Sequence, residues 1–281
     1  MKKNILVVEA TGGLANRMQA ISGAVKFASD YKIDKIKILW FNKSNCRCSF
    51  DDLFDRSALP ENVKMVNFHL LPGFYDLVWK KFILKLYTKG FEYKSLRNNY
   101  DLEAKIRGLV AKAPGSSVFI RTGHEFSEVP GDLKIFKLSK KVQALLEEAT
   151  KDFSANTIGV HIRRTDSTES IAKSPSELFY EIMDREIAAD PEVKFYIASD
   201  NDEEKRLMRE RYGDRTIMSF KEARRDTLEG MLDATVEMYT LAGTRRIIGS
   251  FWSSYSEMAS RIGGIELERA TRETGDGKYS V

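Results

Sequence analysis

Two adjacent arginines stand at the end of an apolar run, in the stretch IGVHIRRTDSTES of residues 158–170. If that run is a buried strand, successive side chains point to opposite faces, so His161 and Arg163 share one face and Arg164 takes the other. The two guanidinium groups therefore cannot serve one site. We expect Arg163 to reach a ligand and Arg164 to be held by a structural carboxylate.

A guanidinium beside a carboxylate suits phosphate binding or proton transfer. The planar fork of Arg163 matches phosphate oxygens. Asp166 follows three residues later, where its carboxylate can orient a guanidinium or accept the proton of a hydroxyl. An isolated R-R-x-D is also typical of an ion-paired loop, and that alternative stays open at this point.

Strands and helices alternate through the second half of the chain. The runs TIGVHI, KFYIAS, RTIMSF and RRIIGS are strand-like, and a segment with helical spacing follows each of them. This alternation predicts βαβ units and a mostly parallel sheet. Ligands of such sheets bind outside the carboxyl ends of the strands, so the residues just after each strand are the candidates.

The first half of the chain opens with the same pattern. KNILVVEA predicts a strand, TGGLANR a glycine turn, and the apolar spacing that follows a helix, while KIKILWF and SSVFIRTG predict further strands. Residues 60–115 show no clean period. A helix over 139–151 leads to the second half, so we predict an α/β protein with domains at 1–150 and 151–281.

The polar residues after the other strands allow two interpretations each. Gly12 and Gly13 let the backbone approach an anion at a helix N-terminus, or form a plain tight turn. Ser199 and Asp200 follow KFYIAS, where we favour a helix N-cap over a ligand contact. Ser254 and Glu257 have the spacing of a capping box that opens the last helix.

Composition excludes several classes of function. Lys and Arg total 45 against 41 Asp and Glu, and the charges are interspersed, so we predict no nucleic-acid partner. ILVVEA is too short for a signal or membrane segment, and no apolar run reaches about 18 residues, which predicts a cytoplasmic protein without a transmembrane segment. Cys46 and Cys48 give no disulfide framework or zinc spacing. We therefore predict no metal, and interpret the D-x-D of residues 200–202 as a helix start.

Four ordered blocks carry a family resemblance: GGLANR, VHIRRTD, YIASD and GMLDATVEMYTLAGTRRIIGSFWSS. They resemble the fucosyltransferase superfamily with an H-x-R-R-x-D signature, which includes α1,2-, α1,6- and protein O-fucosyltransferases and the rhizobial nodulation fucosyltransferases. The resemblance covers most of residues 157–262 and the first 30. It implies two Rossmann-like domains facing across a cleft (GT-B-like). It also implies inverting transfer of fucose from the donor substrate GDP-fucose to a glycan or glycoconjugate hydroxyl, without metal or cofactor.

The resemblance also implies roles for individual residues. Arg163 matches the arginine that binds the donor diphosphate, and Asp233 matches the acidic residue that recognises the guanine base. The base for the acceptor hydroxyl is open among Glu9, Asp166 and Glu169. The remaining donor-binding positions are Gly12, Gly13, Asn16, Arg17, His161, Asp200, Ser250, Ser253 and Ser254.

Two alternatives belong to other functional classes. A non-catalytic module of the same fold would bind the nucleotide sugar without transferring it. An RNA-binding surface is suggested by the lysines and aromatics interleaved in KKFILKLYTKGFEYK, residues 80–94. That pattern is more typical of an amphipathic surface element, and a binding constant that does not change with salt would exclude RNA.

Overall fold

The computed structural model describes most of both halves of the chain. The described residues are 4–69, 81–82, 85, 92–94, 104, 107–108, 117–127, 130–165, 167–219 and 224–272. Most of the lysine-rich segment 80–94 and the candidate Asp166 therefore lie outside the described residues. Among the helices within these ranges, none combines the length and the apolar character that a bilayer crossing needs.

The chain forms two compact units. The first comprises Met1–Lys141 and Arg225–Met231, and the second comprises Val142–Arg224 and Leu232–Val281.

Within the described residues, the first unit holds a sheet of five parallel strands with the order β3-β2-β1-β5-β4. Ile5 of the central strand pairs in register with Lys35 on one side and Ser117 on the other. The strand order reverses between β1 and β5, which makes their carboxyl ends the ligand-binding edge expected of such a sheet. The strands are β1 (Ile5–Ala10), β2 (Lys35–Asn42), β3 (Val63–His69), β4 (Glu92–Lys94) and β5 (Ser117–Thr122).

The helices of the first unit begin where local sequence permits a turn. Gly12 has φ of 84°, a left-handed conformation that glycine adopts without a Cβ penalty, and it joins β1 to α1 (Leu14–Asp30). A short helix α2 (Phe50–Leu53) starts with a capping box between Ser49 and Asp52.

The second unit also has a five-stranded sheet, but the two strands beyond its switch point have the opposite order to those of the first unit. Its described strands form a parallel sheet with the order β10-β9-β6-β7-β8. β6 is buried along its whole length, as its apolar sequence predicts, and it packs into a core with apolar residues of the neighbouring helices. The strand order reverses between β6 and β9. The strands are β6 (Thr157–Ile162), β7 (Lys194–Ser199), β8 (Thr216–Ile217), β9 (Ile247–Gly249) and β10 (Leu267–Arg269).

Helices separate the strands of the second unit, as βαβ connections require. The helix α3 precedes β6 and starts just before the residue at which the second unit begins. The remaining helices connect consecutive strands. All the helices, α3 included, have these bounds: α3 (Lys140–Thr150), α4 (Thr168–Lys173), α5 (Ser176–Ala189), α6 (Asp202–Tyr212), α7 (Leu228–Ala242) and α8 (Ser254–Gly263).

The α/β prediction is confirmed, with all described strand pairings parallel in both sheets. Three of the described strands, β3, β4 and β10, were missed. β4 has only three residues, EYK, and lies in the segment without a clean period. β3 lies in the segment without a clean period, and its residues are mostly half-buried, so its sequence VKMVNFH carries polar residues on both faces. β10 has three residues, LER, which are too few and too polar for a pattern to show.

Candidate functional site

The reversal of strand order in the second unit places β6 and β9 side by side. His161 pairs with Gly249 in register, and the Ser250 amide donates to the His161 carbonyl at 3.1 Å. The residues after these two strands, beginning with Arg163 and Ser250, therefore share one edge of the sheet. This is the edge at which open α/β sheets bind their ligands.

Arg163 is fixed at its backbone and partly exposed at its side chain. Its amide donates to the Ser250 Oγ at 2.9 Å. Its Nη1 lies 3.8 Å from the Asp200 Oδ2, and the side chain is 19% exposed. The guanidinium is thus positioned by a carboxylate, and the side chain is partly exposed at the carboxyl edge of β6.

Arg164 has the opposite environment. Its Nε donates to the Glu204 Oε1 at 2.7 Å, and its Nη2 donates to the Ser176 Oγ at 3.0 Å. The side chain is 9% exposed. The expected division between the two arginines is confirmed for Arg164, which pairs with a buried structural carboxylate because the strand turns it to the other face.

Asp200 links the two arginines. It accepts the Arg164 amide at 2.7 Å and the Thr165 hydroxyl at 2.6 Å. Burial raises the pKa of Asp200, but these two hydrogen bonds and the charge of Arg163 outweigh burial and hold the pKa below its ordinary value. Asp200 is therefore an anion at neutral pH that orients the loop after β6.

The N-cap predicted at Ser199 or Asp200 is wrong by one or two residues. The cap of α6 is Asn201, whose side-chain oxygen accepts the Glu204 amide at 3.1 Å. Ser199 instead donates to the Ile162 carbonyl at 2.8 Å. Because the cap lies at Asn201, the Asp200 carboxylate remains available to the arginine loop.

His161 is buried and contacts three residues at the start of α8. Its Nδ1 lies 2.7 Å from the Ser256 Oγ and 3.4 Å from the Ser253 Oγ. Its ring stacks on Tyr255, with 4.9 Å between centroids. These contacts hold the first turn of α8 against the end of β6.

The serines after β9 form the start of α8. The N-cap is Ser253, whose hydroxyl accepts the Ser256 amide, and Ser254 is the first helical residue. The predicted capping box from Ser254 to Glu257 is therefore wrong. Three serines lie within four positions, and Ser253, which caps the helix, also lies 3.4 Å from the Nδ1 of buried His161.

Two acidic residues of α7 lie close to this edge. The Tyr255 hydroxyl, whose ring stacks on His161, donates to the Ala234 carbonyl and lies 3.5 Å from the Glu237 Oε2. Asp233 sits one helical turn before Glu237 and acts on it electrostatically. Glu237 was missed by the sequence analysis, although an acid inside the apolar run TVEMY was a visible signal.

The environment of Glu237 favours its neutral form. Burial raises the pKa of this partly buried carboxyl to about 7, and the negative charges of Asp200 and Asp233 act in the same direction. Lys205 opposes the shift. Its Nζ is held by the Ser219 carbonyl at 2.9 Å. Glu237 is thus a carboxyl that changes charge near neutral pH beside the His161–Tyr255 stack.

The glycine turn of the first unit is tightly constrained. A Cβ on Gly12 would lie 2.8 Å from the Asn16 Cβ, so this position requires glycine for space as well as for its φ. Gly13 is the N-cap of α1 in an extended conformation and adds no side-chain cap. Asn16 donates from Nδ2 to the Gly123 carbonyl at 3.1 Å, tying this turn to the turn after β5.

Arg17 lies inside the first unit. It is 1% exposed. Its Nε donates to the Gly12 carbonyl at 3.0 Å, and its guanidinium carbon lies 4.6 Å from the centre of the Trp40 ring. The side chain therefore stabilises the glycine turn through its hydrogen bond to Gly12. Its contact with a donor stays a prediction.

The three candidate bases have different settings. Glu9 is buried at the end of β1, with its Oε1 3.5 Å from the Arg121 Nε and 3.9 Å from the Lys43 Nζ. Glu169 lies on α4, where its half-exposed carboxylate is 3.3 Å from the Lys173 Nζ. Asp166 lies outside the described residues. The choice among the three stays open.

A cavity of about 560 Å³ lies elsewhere in the first unit. It is lined by residues such as Lys35 and Val63, which begin β2 and β3. These are the amino ends of the strands, opposite to the edge at which such sheets bind ligands. We therefore do not assign the functional site to this cavity.

Solved structures share this fold over nearly the whole chain. A crystal structure of NodZ α-1,6-fucosyltransferase soaked with GDP-fucose matches with a TM-score of 0.61 and 16% identity over 93% of both chains. The NodZ fucosyltransferase from Bradyrhizobium, in another crystal structure, gives a TM-score of 0.61 over 92% of both chains at 16% identity. POFUT1 in complex with GDP matches with a TM-score of 0.58 and 11% identity over 95% of this chain and 98% of that chain.

The chain has the fold of these GT-B-like fucosyltransferases. Neither a family model nor a curated protein matches the sequence. At 11–16% identity the likeness establishes the fold. The chemistry of the site rests on the residues described above.

Proposed function

We propose that this protein is a glycosyltransferase that transfers fucose from GDP-fucose to a hydroxyl of a glycan or glycoconjugate, with inversion at the anomeric carbon. The observation that carries the proposal is the setting of Arg163, whose backbone is fixed by Ser250 and whose partly exposed guanidinium lies at the ligand-binding edge. The shared fold with NodZ soaked with GDP-fucose and with POFUT1 in complex with GDP-fucose supports the choice of donor.

The leaving group would be GDP. When the bond from fucose to the β-phosphate breaks, positive charge develops on the sugar and negative charge on the diphosphate. Arg163 would offer two parallel N–H donors to that diphosphate, and the first amides of α8, which begins at Ser254 after β9, would offer further donors. Both interactions strengthen as the negative charge grows, so they stabilise the transition state more than the ground state.

The hydrogen bonds that hold Arg163 and the first turn of α8 preorganise the site. Ser250 holds the Arg163 backbone, Asp200 orients the guanidinium, and His161 packs against the first turn of α8. None of these contacts needs to form during the reaction. The reorganisation energy of the site is therefore low, which is the main source of electrostatic catalysis.

The guanine base would be recognised by an acidic residue of α7. The resemblance assigns this role to Asp233, and the structure offers Glu237 one turn later, in contact with the Tyr255 that stacks on His161. In its charged form the Glu237 carboxylate would accept two parallel hydrogen bonds, which matches the adjacent N1–H and N2–H donors of guanine. We propose Glu237 as the stronger candidate because its position is coupled to the phosphate-binding edge through Tyr255.

Transfer would be independent of divalent metal, since Arg163 and the N-terminus of α8 supply the positive potential that a metal provides elsewhere. The base that activates the acceptor hydroxyl is one of Glu9, Asp166 and Glu169. Glu9 is buried between two cations, whereas Glu169 is half-exposed and engaged by Lys173.

A thermal-shift panel of GDP, UDP, CDP, GDP-fucose and GDP-mannose tests the proposal first. A ligand that binds the native state raises its stability by RT ln(1 + [L]/Kd), so GDP and GDP-fucose are expected to raise Tm and the pyrimidine nucleotides are not. The shift should persist in EDTA. Equal shifts for all five compounds, or none, would overturn the donor assignment.

Release of GDP in the presence of glycan acceptors separates transfer from simple binding. An active transferase releases GDP from GDP-fucose and adds one deoxyhexose to the acceptor, which mass spectrometry detects. Binding of GDP-fucose without hydrolysis or transfer to any acceptor would identify the alternative, a non-catalytic module of the same fold.

A further inference from the structure

Trp252 stands out in the loop between β9 and α8. It is 39% exposed, which makes it one of the large apolar side chains that the described surface presents to solvent. Its φ is 54°, a left-handed conformation that bulky residues rarely adopt. It lies between Ser250, which fixes the Arg163 backbone, and Ser253, which caps α8.

The neighbours of Trp252 hold it in this conformation. Phe251 is buried, its amide donates to the Ser174 Oγ at 2.7 Å, and its carbonyl accepts the Ser170 hydroxyl at 2.6 Å. The rings of Phe251 and Trp252 stack with 5.4 Å between centroids and 19° between planes. Both backbone polar groups of Phe251 are thus hydrogen-bonded, and the strained residue Trp252 follows directly.

The loop has two sides with different chemistry. On the α7 side, Tyr255 contacts Glu237, the candidate reader of guanine. On the α4 side, Phe251 is bound to the serines of α4, and Lys173 lies 5.7 Å from the Trp252 ring. The diphosphate site at Ser250 lies in the chain between Trp252 and β9.

A nucleotide sugar carries its base and its hexose at opposite ends of the diphosphate. If the base lies toward α7 and the diphosphate at Ser250 and Arg163, the hexose extends toward the α4 side. We propose that the exposed indole of Trp252 is the stacking surface for the hexosyl ring of the donor and so determines sugar specificity. This inference rests on the proposed function, because it takes the position of the diphosphate from it.

The chemistry of the sugar fits an indole. A 6-deoxyhexose presents C–H groups and a methyl group on its surface, and these pack against the electron-rich face of an aromatic ring. Apolar contacts of this kind fix orientation while a few polar groups supply specificity. The conformational strain at Trp252 is then retained because it aims the ring at the ligand, in keeping with the clustering of strained residues at binding sites.

Calorimetric titration of GDP and of GDP-fucose into wild type, Trp252→Ala and Trp252→Phe tests the inference. We expect Trp252→Ala to bind GDP as wild type does but to bind GDP-fucose up to about ten-fold more weakly, from the usual size of an aromatic stacking contact. Trp252→Phe should retain most of the affinity. Leu145→Ala, on α3, removes another exposed apolar side chain and serves as the matched control.

Thermal stability supplies a readout that separates a binding role from a structural one. Trp252→Gly removes the strain of the left-handed conformation, so its Tm should equal or exceed that of wild type while its GDP-fucose affinity falls. A lower Tm together with unchanged affinity for GDP-fucose would show a structural role and overturn the inference.

The remaining outcomes are distinguishable. A wild-type protein that binds neither GDP nor GDP-fucose overturns the proposed function. Normal GDP-fucose binding by Trp252→Ala, or an equal loss for GDP and GDP-fucose, overturns the role of Trp252 at the donor sugar. An unchanged donor KM with a raised KM for the acceptor also overturns it, and assigns the indole to the acceptor sugar instead.

Discussion

Both units have a five-stranded parallel sheet whose strand order reverses beside the central strand, yet the charged groups at this switch point have different surroundings in the two units. In the first unit, Arg17 is buried against the Gly12 carbonyl and Trp40, and Glu9 is buried between cations. In the second unit, Arg163 is anchored through its backbone and keeps part of its guanidinium exposed. The strand order determines where a site lies. The residues that contact each charged side chain then determine whether it stabilises the fold or is available to bind a ligand.

The same contrast exists on a smaller scale between Arg163 and Arg164. One guanidinium has a carboxylate at 3.8 Å and remains partly accessible, whereas the other has a carboxylate at 2.7 Å and two further hydrogen bonds. Neighbouring residues of one sequence motif thus perform different tasks because the strand turns them to opposite faces.

The largest expected effect is that of Arg163→Ala on transfer. The variant loses a charge-assisted bidentate contact and a transition-state stabiliser together, so we expect kcat/KM to fall by the equivalent of about 3–5 kcal/mol. Arg163→Lys should remain well below wild type because an ammonium keeps the charge and loses the fork. Steady-state kinetics and the Tm of each variant measure the two effects separately.

Wild-type donor affinity in Arg163→Ala would contradict this assignment. It would do so most clearly if Arg164→Ala folded normally and lost donor binding, since the strand would then present the other arginine to the ligand.

Arg164→Ala is expected to act on stability. Removing this guanidinium leaves the Glu204 carboxylate buried without its cation, which costs about 3 kcal/mol when a buried ion pair loses one partner. We expect a lowered Tm in the absence of ligand and a GDP affinity near that of wild type at a temperature where the variant is folded. A Tm equal to that of wild type would show that the pair contributes nothing.

The sequence predicts much of this division, because it depends on local pattern. The strand TIGVHI is apolar, so its period of two separates the faces of Arg163 and Arg164 without knowledge of their partners. Features that depend on distant residues could not be predicted. Glu237 gains its significance from Tyr255 and Lys205, which lie on other helices.

Cap positions show the same limit of local pattern. The spacing to Glu257 favours Ser254 in the sequence, whereas in the structure Ser253 is the cap and also lies 3.4 Å from the Nδ1 of buried His161. Likewise, Asn201 rather than Asp200 caps α6 because Asp200 is engaged by the loop after β6.

The glycine turn of the first unit offers a matched pair of variants. Gly12→Ala forces an L residue into φ of 84° and places its Cβ 2.8 Å from the Asn16 Cβ, so we expect a loss of about 2 kcal/mol in unfolding free energy. Gly13→Ala has an extended backbone and its Cβ would meet nothing closer than 3.9 Å, so its cost should stay below about 1 kcal/mol. Equal effects in the two variants would contradict the constraint placed on Gly12.

The smallest expected effect is a pH dependence of stability caused by Glu237. Burial raises its folded pKa to about 7 from the ordinary value of 4.5. Between these two pH values the unfolded state releases a proton that the folded state retains, so the unfolding free energy falls as pH rises and levels off above pH 7. After allowance for water at this partly exposed carboxyl, we expect about 1 kcal/mol between pH 5 and 7. Glu237→Gln should remove that slope, and urea unfolding at several pH values measures it.

Asp200 has the opposite sign and a separate window, which makes the Glu237 measurement specific. Its folded pKa lies below the ordinary value of 3.8, so its contribution to stability is present above that pH and is lost as pH falls through the lowered folded pKa. Asp200→Asn should therefore change stability at neutral pH and leave the slope between pH 5 and 7 intact, whereas Glu237→Gln should remove the slope. If Glu237→Gln kept the wild-type slope, the group that titrates near pH 7 would be another residue, and the carboxyl beside Tyr255 would already be charged when the donor binds.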